Sequence, residues 1–110
     1  MAWHTLSALE QLDAVDADPE GRTFLLFKHS TRCSISKAAL GRLQRSWQDG
    51  DGEVFLLDLL RHRDVSNAIA DRYGVRHASP QVLVVRGGRC LWSASHLAIT
   101  YPSCLEALRQ

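Results

Sequence analysis

The stretch that decides the fold is Arg22-Thr23-Phe24-Leu25-Leu26-Phe27-Lys28-His29-Ser30-Thr31-Arg32-Cys33-Ser34-Ile35-Ser36. The apolar run from Arg22 to Lys28 predicts a strand buried on both faces. A polar turn with Ser30 and Thr31, residue types that cap helix N-termini, follows it. A helix is predicted from about Cys33 to Gln48, because apolar residues recur there at helical spacing. A cysteine therefore stands where a buried strand passes into a helix.

Further helices and strands are predicted on both sides of this stretch. The expected helices are a first one carrying Leu6, Leu9 and Leu12, one over 63–73 that stops at Gly74, and a last one carrying Leu105 and Leu108. The expected strands are the short apolar runs 54–57, 82–85 and 90–94, the last two joined at Gly87-Gly88. The predicted order is helix, strand, helix, strand, helix, strand, strand, helix.

This order predicts a mixed four-stranded sheet flanked by helices. The first two strands, joined through a helix, should be parallel with a right-handed crossover, and the glycine hairpin should make the last pair antiparallel. An α/β arrangement of this kind is the thioredoxin-like architecture, which by itself does not define a function. The 110 residues fit one domain, so we expect residues 1–110 to form a single thioredoxin-like domain.

Composition excludes several classes of protein. The formal net charge is +1, and no basic stripe alternates with aromatics, which argues against nucleic-acid binding. No apolar run approaches the length of a membrane span, and the N-terminus does not look like a secretion signal. The three cysteines, Cys33, Cys90 and Cys104, are an odd and widely spaced set, unlike a secreted disulfide framework. We therefore expect a cytoplasmic protein with free thiols.

Cys33 is the first candidate for chemistry. At a helix start its sulfur would lie near unpaired backbone N–H groups, and the positive end of the helix favours a thiolate. Lys28, His29 and Arg32 would add positive charge, although Lys28 could point away. Since the thiolate is the nucleophile of thiol–disulfide exchange, this position suits attack on a disulfide. The alternative is a buried or capping cysteine without reactivity.

Ser36 occupies the position three residues after Cys33, where a second cysteine could have closed an internal disulfide. Its hydroxyl, one helical turn away, could hydrogen-bond the Cys33 sulfur. The alternative is an ordinary exposed helix serine. A single active cysteine must work through a mixed disulfide that another thiol resolves.

The segment Arg76-His77-Ala78-Ser79-Pro80-Gln81, directly before the third predicted strand, is the second candidate. In a thioredoxin-like fold a cis-proline here faces the active cysteine, and the backbone before it is open to an extended substrate. The alternative is a trans-proline that opens a strand. His77 could line the site or be merely exposed.

Ser95 and His96 end the returning strand, which should lie near the proline, so both could help to line the thiol site. A lone histidine is more often structural or exposed. Cys90 and Cys104 are expected to be small buried core residues. No cluster of cysteines and histidines has the spacing of a zinc site, and no dinucleotide or phosphate loop occurs. A Cys-x₅-Arg phosphatase loop is excluded because Ala39 stands at the arginine position. We expect no bound metal.

The string Phe27-Lys28-His29-Ser30-Thr31-Arg32-Cys33 with Ile35-Ser36 resembles the signature of the YtxJ family, the monothiol bacilliredoxins. Three further parts of the chain resemble motifs of the same family. They are residues 63–70, His77 together with residues 79–81, and Trp92 together with residues 95–96 and 99–100. The resemblance covers roughly Leu6 to Leu108 and implies a thioredoxin fold in bacillithiol-based redox control. This chain departs from the family pattern at Ser34, where proline is usual. A serine restores a backbone N–H donor near the Cys33 sulfur and could shift the redox poise of that thiol.

The resemblance implies that Cys33 takes bacillithiol from protein mixed disulfides and that Pro80 is the cis-proline facing it. Bacillithiol would be a co-substrate, with no tightly bound cofactor. The partners would be S-bacillithiolated client proteins and a low-molecular-weight thiol or separate reductase that regenerates Cys33. Two alternatives stay open: a non-catalytic redox sensor or binding module thiolated at Cys33, and an oxidoreductase that uses glutathione or coenzyme A instead.

Overall fold

A computed structural model describes residues 3–110 of the chain. Within them the strands are β1 Trp3–Leu6, β2 Phe24–His29, β3 Glu53–Asp58, β4 Gln81–Arg86 and β5 Arg89–Ser95. The helices are α1 Leu9–Asp16, α2 Ser34–Ser46, α3 Arg63–Tyr73 and α4 Tyr101–Leu108, with a short 3₁₀ helix at His96–Ala98. Every predicted element is present; the helix over 63–73 has the predicted ends, and the ends of the others differ by a few residues.

The strands form one mixed sheet in the order β1-β3-β2-β4-β5. β3 is parallel to both β1 and β2, while β4 is antiparallel to β2 and to β5. The predicted parallel crossover and antiparallel hairpin are therefore confirmed. At the hairpin, Gly87 and Gly88 both have positive φ, 57° and 80°, which suits a tight turn whose twist matches the strands.

Side chains alternate between the two faces of the sheet, and each face is covered by two helices. One core packs α1 and α3 against the sheet through Leu12, Val15, Val65, Ile69 and the inward side chains of the strands. The other packs α2 and α4 through Ala39, Leu43, Cys104 and Ala107. The central strand β2 is buried along its whole length, as its apolar sequence predicts.

The four-strand prediction is wrong because it missed β1. This strand has four residues, pairs with β3 at the edge of the sheet, and buries only Leu6 completely. With so short a run and polar residues at His4 and Thr5, its sequence carries no clear strand pattern. Leu6 was expected in the first helix, but it belongs to β1, and α1 begins at Leu9.

Candidate functional site

The candidate site lies at one edge of the sheet, where several chain segments meet. β2 ends at His29, and the turn after it leads to Cys33 at the start of α2. Lys28 on β2 pairs with Gln81 on β4, and Gln81 pairs with Ser95 on β5. The His96 amide donates to the Pro80 carbonyl (3.1 Å), and the 3₁₀ helix contacts α2. The topology thus brings the predicted segments 28–36, 77–81 and 95–96 to the same edge.

Cys33 is the N-cap residue of α2, so the helix proper begins one residue later than predicted, at Ser34. Its backbone is extended (φ −107°, ψ 119°), and its amide donates to the Ser30 carbonyl (3.2 Å). Its thiol is free and partly exposed. A side chain at the N-cap lies beside the open amides of a helix's first turn, although the Cys33 side chain accepts no hydrogen bond from them. Ser30 and Thr31, the expected caps, form the turn instead.

The Ser36 hydroxyl ties the first turn of α2 to the end of β2. Ser36 is completely buried, and its Oγ lies 2.6 Å from Nδ1 of His29 and 3.0 Å from the Ser30 amide. The alternative of an exposed helix serine is therefore wrong. The suggested bond to the Cys33 sulfur is not formed either, since the hydrogen bonds of this hydroxyl within residues 3–110 go to His29 and Ser30.

The Ser36 hydroxyl has two partners in this cluster. The Ser30 N–H donates to Ser36 Oγ, and the same oxygen lies within hydrogen-bond distance of His29 Nδ1. Burial lowers the pKa of His29; the Asp58 carboxylate opposes this shift and the charge of Lys37 adds to it. The lowered pKa keeps the buried His29 ring neutral near pH 7.

Lys28 does not join the positive charge beside Cys33. It lies on the α1–α3 face of the sheet, is completely buried, and its Nζ donates to the Ser66 carbonyl of α3 (3.3 Å). Strand alternation explains this, because the neighbouring His29 points to the α2 face. Burial lowers the pKa of Lys28 to about 8. The cations that remain exposed near Cys33 in sequence are Arg32 and Lys37.

The segment from Arg76 to Gln81 contains the cis Ser79–Pro80 bond that the sequence predicted. Pro80 is buried, and Ser79 is partly buried. His77 is exposed; burial lowers its pKa, and the charges of Lys28 and Arg63 lower it further. Whether the proline faces the sulfur with a bound substrate stays a prediction.

Ser95 and His96 close the site on the side of β5. Ser95 is partly buried, opposite Gln81, and His96 is exposed with a positive φ of 55°. Residues other than glycine rarely adopt this backbone conformation. At His96 it marks the point where the chain turns from β5 into the 3₁₀ helix. The next residue, Leu97, is 82% exposed, and Ile35 beside Cys33 is 50% exposed.

The other two cysteines lie apart from Cys33. Cys104 is completely buried in the α2–α4 core, as predicted, and burial raises its pKa to about 12. Cys90 is only partly buried, which corrects the expectation of a fully buried residue, because it stands near the start of the edge strand β5. It pairs with Val85 at the far end of the sheet, roughly 13 Å along the strands from the Lys28–Gln81 pair.

Ser66 and Asp58 are not among the predicted site residues. Each contacts or influences one of those residues, yet follows an ordinary pattern for a helix or strand. Gln81 is part of the predicted segment 76–81, but its pairing with Lys28 appears only in the sheet. In the part of the chain that the structure describes, no group of three His, Cys, Asp or Glu side chains could hold a metal ion. Nor does any helix between residues 3 and 110 have the length and apolar character to cross a membrane.

Comparison with known proteins decides the family. Residues 4–104 match the family described as Monothiol bacilliredoxin BrxC. The chain belongs to the monothiol bacilliredoxin family. Its bacilliredoxin-type fold is similar to that of a solved candidate oxidoreductase with a thioredoxin fold, at 28% identity and a TM-score of 0.84, over 96% of this chain and 93% of the other.

Two thioredoxins share the fold of this bacilliredoxin at lower identity. A mutant thioredoxin from Halobacterium salinarum is 16% identical with a TM-score of 0.73, covering 97% of this chain and 88% of that one. Malassezia sympodialis thioredoxin is 12% identical with a TM-score of 0.76, covering 100% and 90%. The predicted thioredoxin-like fold is confirmed. Fold and family together support a thiol oxidoreductase type of function.

Proposed function

We propose that this bacilliredoxin is a monothiol oxidoreductase that removes bacillithiol from protein mixed disulfides through Cys33. The observation that carries the proposal is a partly exposed thiol at the N-cap of α2 with no second thiol beside it. Ser36 fills the position of a partner cysteine and is bonded inward to His29. Cys104 is enclosed, and Cys90 is too far away to form a disulfide without a large movement of the backbone.

The reaction is two thiol–disulfide exchanges. The Cys33 thiolate attacks the bacillithiol sulfur of the mixed disulfide; a new Cys33–bacillithiol bond forms, and the client thiolate leaves and takes a proton from water. A second bacillithiol thiolate, or a reductase thiol, then attacks the bacillithiol sulfur on Cys33. This step releases a disulfide and returns the Cys33 thiolate. No internal disulfide is needed.

The surroundings of Cys33 suit a polypeptide substrate. Ile35 in the first turn of α2 and Leu97 in the contacting 3₁₀ helix offer exposed apolar contacts to a client protein. The backbone of the segment before Pro80 would pair with an extended client segment. Arg32 and Lys37 add positive charge at the same end of α2, which favours thiolates in the exchange. We place this reaction in the cytoplasm.

A turnover assay tests the proposal. A client protein carrying one S-bacillithiolated cysteine is incubated with excess free bacillithiol and catalytic amounts of the protein, and client reduction is followed by intact mass. We expect many clients reduced per molecule, no turnover with Cys33→Ser, and normal turnover with the matched variant Cys90→Ser. One client per molecule at most would contradict the proposal and favour a redox sensor. Equal turnover with glutathione mixed disulfides would contradict the bacillithiol assignment.

A further inference from the structure

Lys28 is a buried cation without a buried counter-charge. Its side chain is completely enclosed between the sheet and α3, and its one hydrogen bond is to the Ser66 carbonyl. None of the salt bridges within residues 3–110 includes it. An ammonium group in such a place is costly unless its remaining donors are used, because it has lost its water. Two of its three N–H groups are free to serve another acceptor.

An unsatisfied acceptor lies directly opposite this lysine. Lys28 and Gln81 are paired across β2 and β4, so their side chains share one face with Cβ atoms roughly 5 Å apart. Gln81 is 5% exposed; its Nε2 donates to the Arg76 carbonyl (3.0 Å), but its Oε1 has no hydrogen-bond partner among the described residues. The Ser79 hydroxyl, two residues earlier, is a second such buried polar group.

The positive charge of Lys28 also acts on the same segment. Burial lowers the pKa of His77, which stands between Arg76 and Ser79, and the charges of Lys28 and Arg63 lower it further. The groups on the neighbouring elements are Ser66 on α3, which accepts the Lys28 hydrogen bond, and the cross-strand partners Leu57 on β3 and Gln81 on β4. Asp58, on β3, influences His29 on the opposite face of the sheet. A buried donor and a buried acceptor without a partner thus lie on the same face of neighbouring strands, next to Pro80.

We propose that Lys28 is a positioning residue for the substrate-binding segment Arg76–Gln81: its ammonium group holds Gln81 Oε1 from inside the protein through one bridging water. Gln81 also connects the two ends of the segment, since its Nε2 donates a hydrogen bond to the Arg76 carbonyl. A restraint on the Gln81 side chain therefore also acts on Arg76. An internal water between the ammonium, the amide oxygen and the Ser79 hydroxyl would have the three polar partners that such waters need. Lys28 does not touch the reacting sulfur. The expected effect of Lys28 on substrate binding rests on the proposed function. Its expected effect on the conformation of the segment does not.

This restraint depends on the charge of Lys28. The ammonium form donates three hydrogen bonds, whereas the neutral amine is a weaker donor that no longer attracts the amide oxygen strongly. Since burial lowers the pKa of Lys28 to about 8, the segment should be held below that pH and loosened above it. The lysine therefore links the order of the substrate-binding segment to pH.

Two readouts on a double-mutant cycle test the inference. The variants are Lys28→Met, Gln81→Met and the double variant, and the probe is a peptide whose single cysteine carries bacillithiol. Loss of the restraint should raise KM about 10-fold with kcat within about twofold, the size expected for one lost charged hydrogen bond. The double variant should be no worse than either single variant, because both remove the same interaction. An unchanged KM, or effects that add, would overturn the proposal.

The second readout needs no enzymatic activity. Backbone amide signals of Arg76, His77 and Gln81 are followed by NMR between about pH 7 and pH 9.5. The wild-type protein should show a transition near pH 8 that is absent in Lys28→Met and clearly smaller in Gln81→Met. No transition in the wild type, or the same transition in Gln81→Met, would overturn the proposal even if Lys28→Met does not fold. If this transition occurs but the peptide is never turned over, the positioning role stands and the proposed function fails.

Discussion

The Ser36 hydroxyl and the His29 ring are joined by a 2.6 Å hydrogen bond that spans the turn bearing Cys33. The same hydroxyl accepts the Ser30 amide, so the two ends of the turn are held by one buried oxygen. Ser36 stands at the helical position where a dithiol protein would have its second cysteine. Its two hydrogen bonds show that the serine at this position stabilises the turn that carries Cys33.

Replacing Ser36 by alanine should destabilise the protein by about 2 kcal/mol, because it leaves the buried His29 Nδ1 and the Ser30 amide without a partner. Chemical denaturation measures the free energy of unfolding. The matched control is Ser34→Ala, an exposed serine two residues earlier in the same helix turn, which should change stability by less than about 0.5 kcal/mol. Equal effects of the two substitutions would show that the Ser36 bond contributes nothing.

His29 should make the folded protein less stable at mildly acidic pH. Burial lowers the pKa of His29 in the folded state, so the unfolded chain takes up a proton first as the pH falls. The free energy of unfolding should therefore decrease as the pH drops from about 7 to about 5. Urea denaturation at both values gives this loss. It should be smaller in His29→Gln than in the wild type, and a loss of the same size in that variant would refute the assignment.

Lys28→Met should remove part of the pH dependence of stability above neutral pH, because it removes the buried ammonium group whose lowered pKa links folding to proton release. The wild type should gain stability as the pH rises from about 8 to about 9.5, since the folded chain releases the Lys28 proton before the unfolded chain does. Denaturation of both proteins across this range measures the difference. A wild-type curve that runs parallel to that of Lys28→Met would contradict this account.

The three thiols should differ in accessibility in the folded protein. Cys33 is partly exposed at a helix N-cap, Cys90 is partly buried with its sulfur directed to the Trp92 carbonyl (3.3 Å), and Cys104 is completely enclosed. A chromogenic disulfide reagent should consume one thiol rapidly, a second slowly, and the third only after denaturant is added. Rapid reaction of two thiols in Cys33→Ser would contradict the described burial.

The order of elements and the place of Cys33 could be predicted from the sequence because they depend on local signals: an apolar strand, a polar turn and helical spacing. β1 could not, since a four-residue edge strand is defined by its pairing with β3 rather than by its own pattern. For a related reason the sequence could not decide the surroundings of Ser36 and Lys28. Ser36 is neither exposed nor bonded to Cys33, and Lys28 points away from Cys33, which was one of its two expected positions. Their burial depends on which face of β2 and α2 the three-dimensional packing covers, and a serine or lysine in a sequence gives no sign of that.

Mass mapping of the mixed disulfide tests the central claim most directly. The protein is exposed to oxidised bacillithiol, digested without reductant, and each of its three cysteines is examined for the adduct. Our account predicts one bacillithiol per molecule, on Cys33, and its removal by free bacillithiol with release of the oxidised dimer. An adduct on Cys90 or Cys104 with Cys33 unmodified, or a disulfide between Cys33 and another cysteine of the chain, would contradict it.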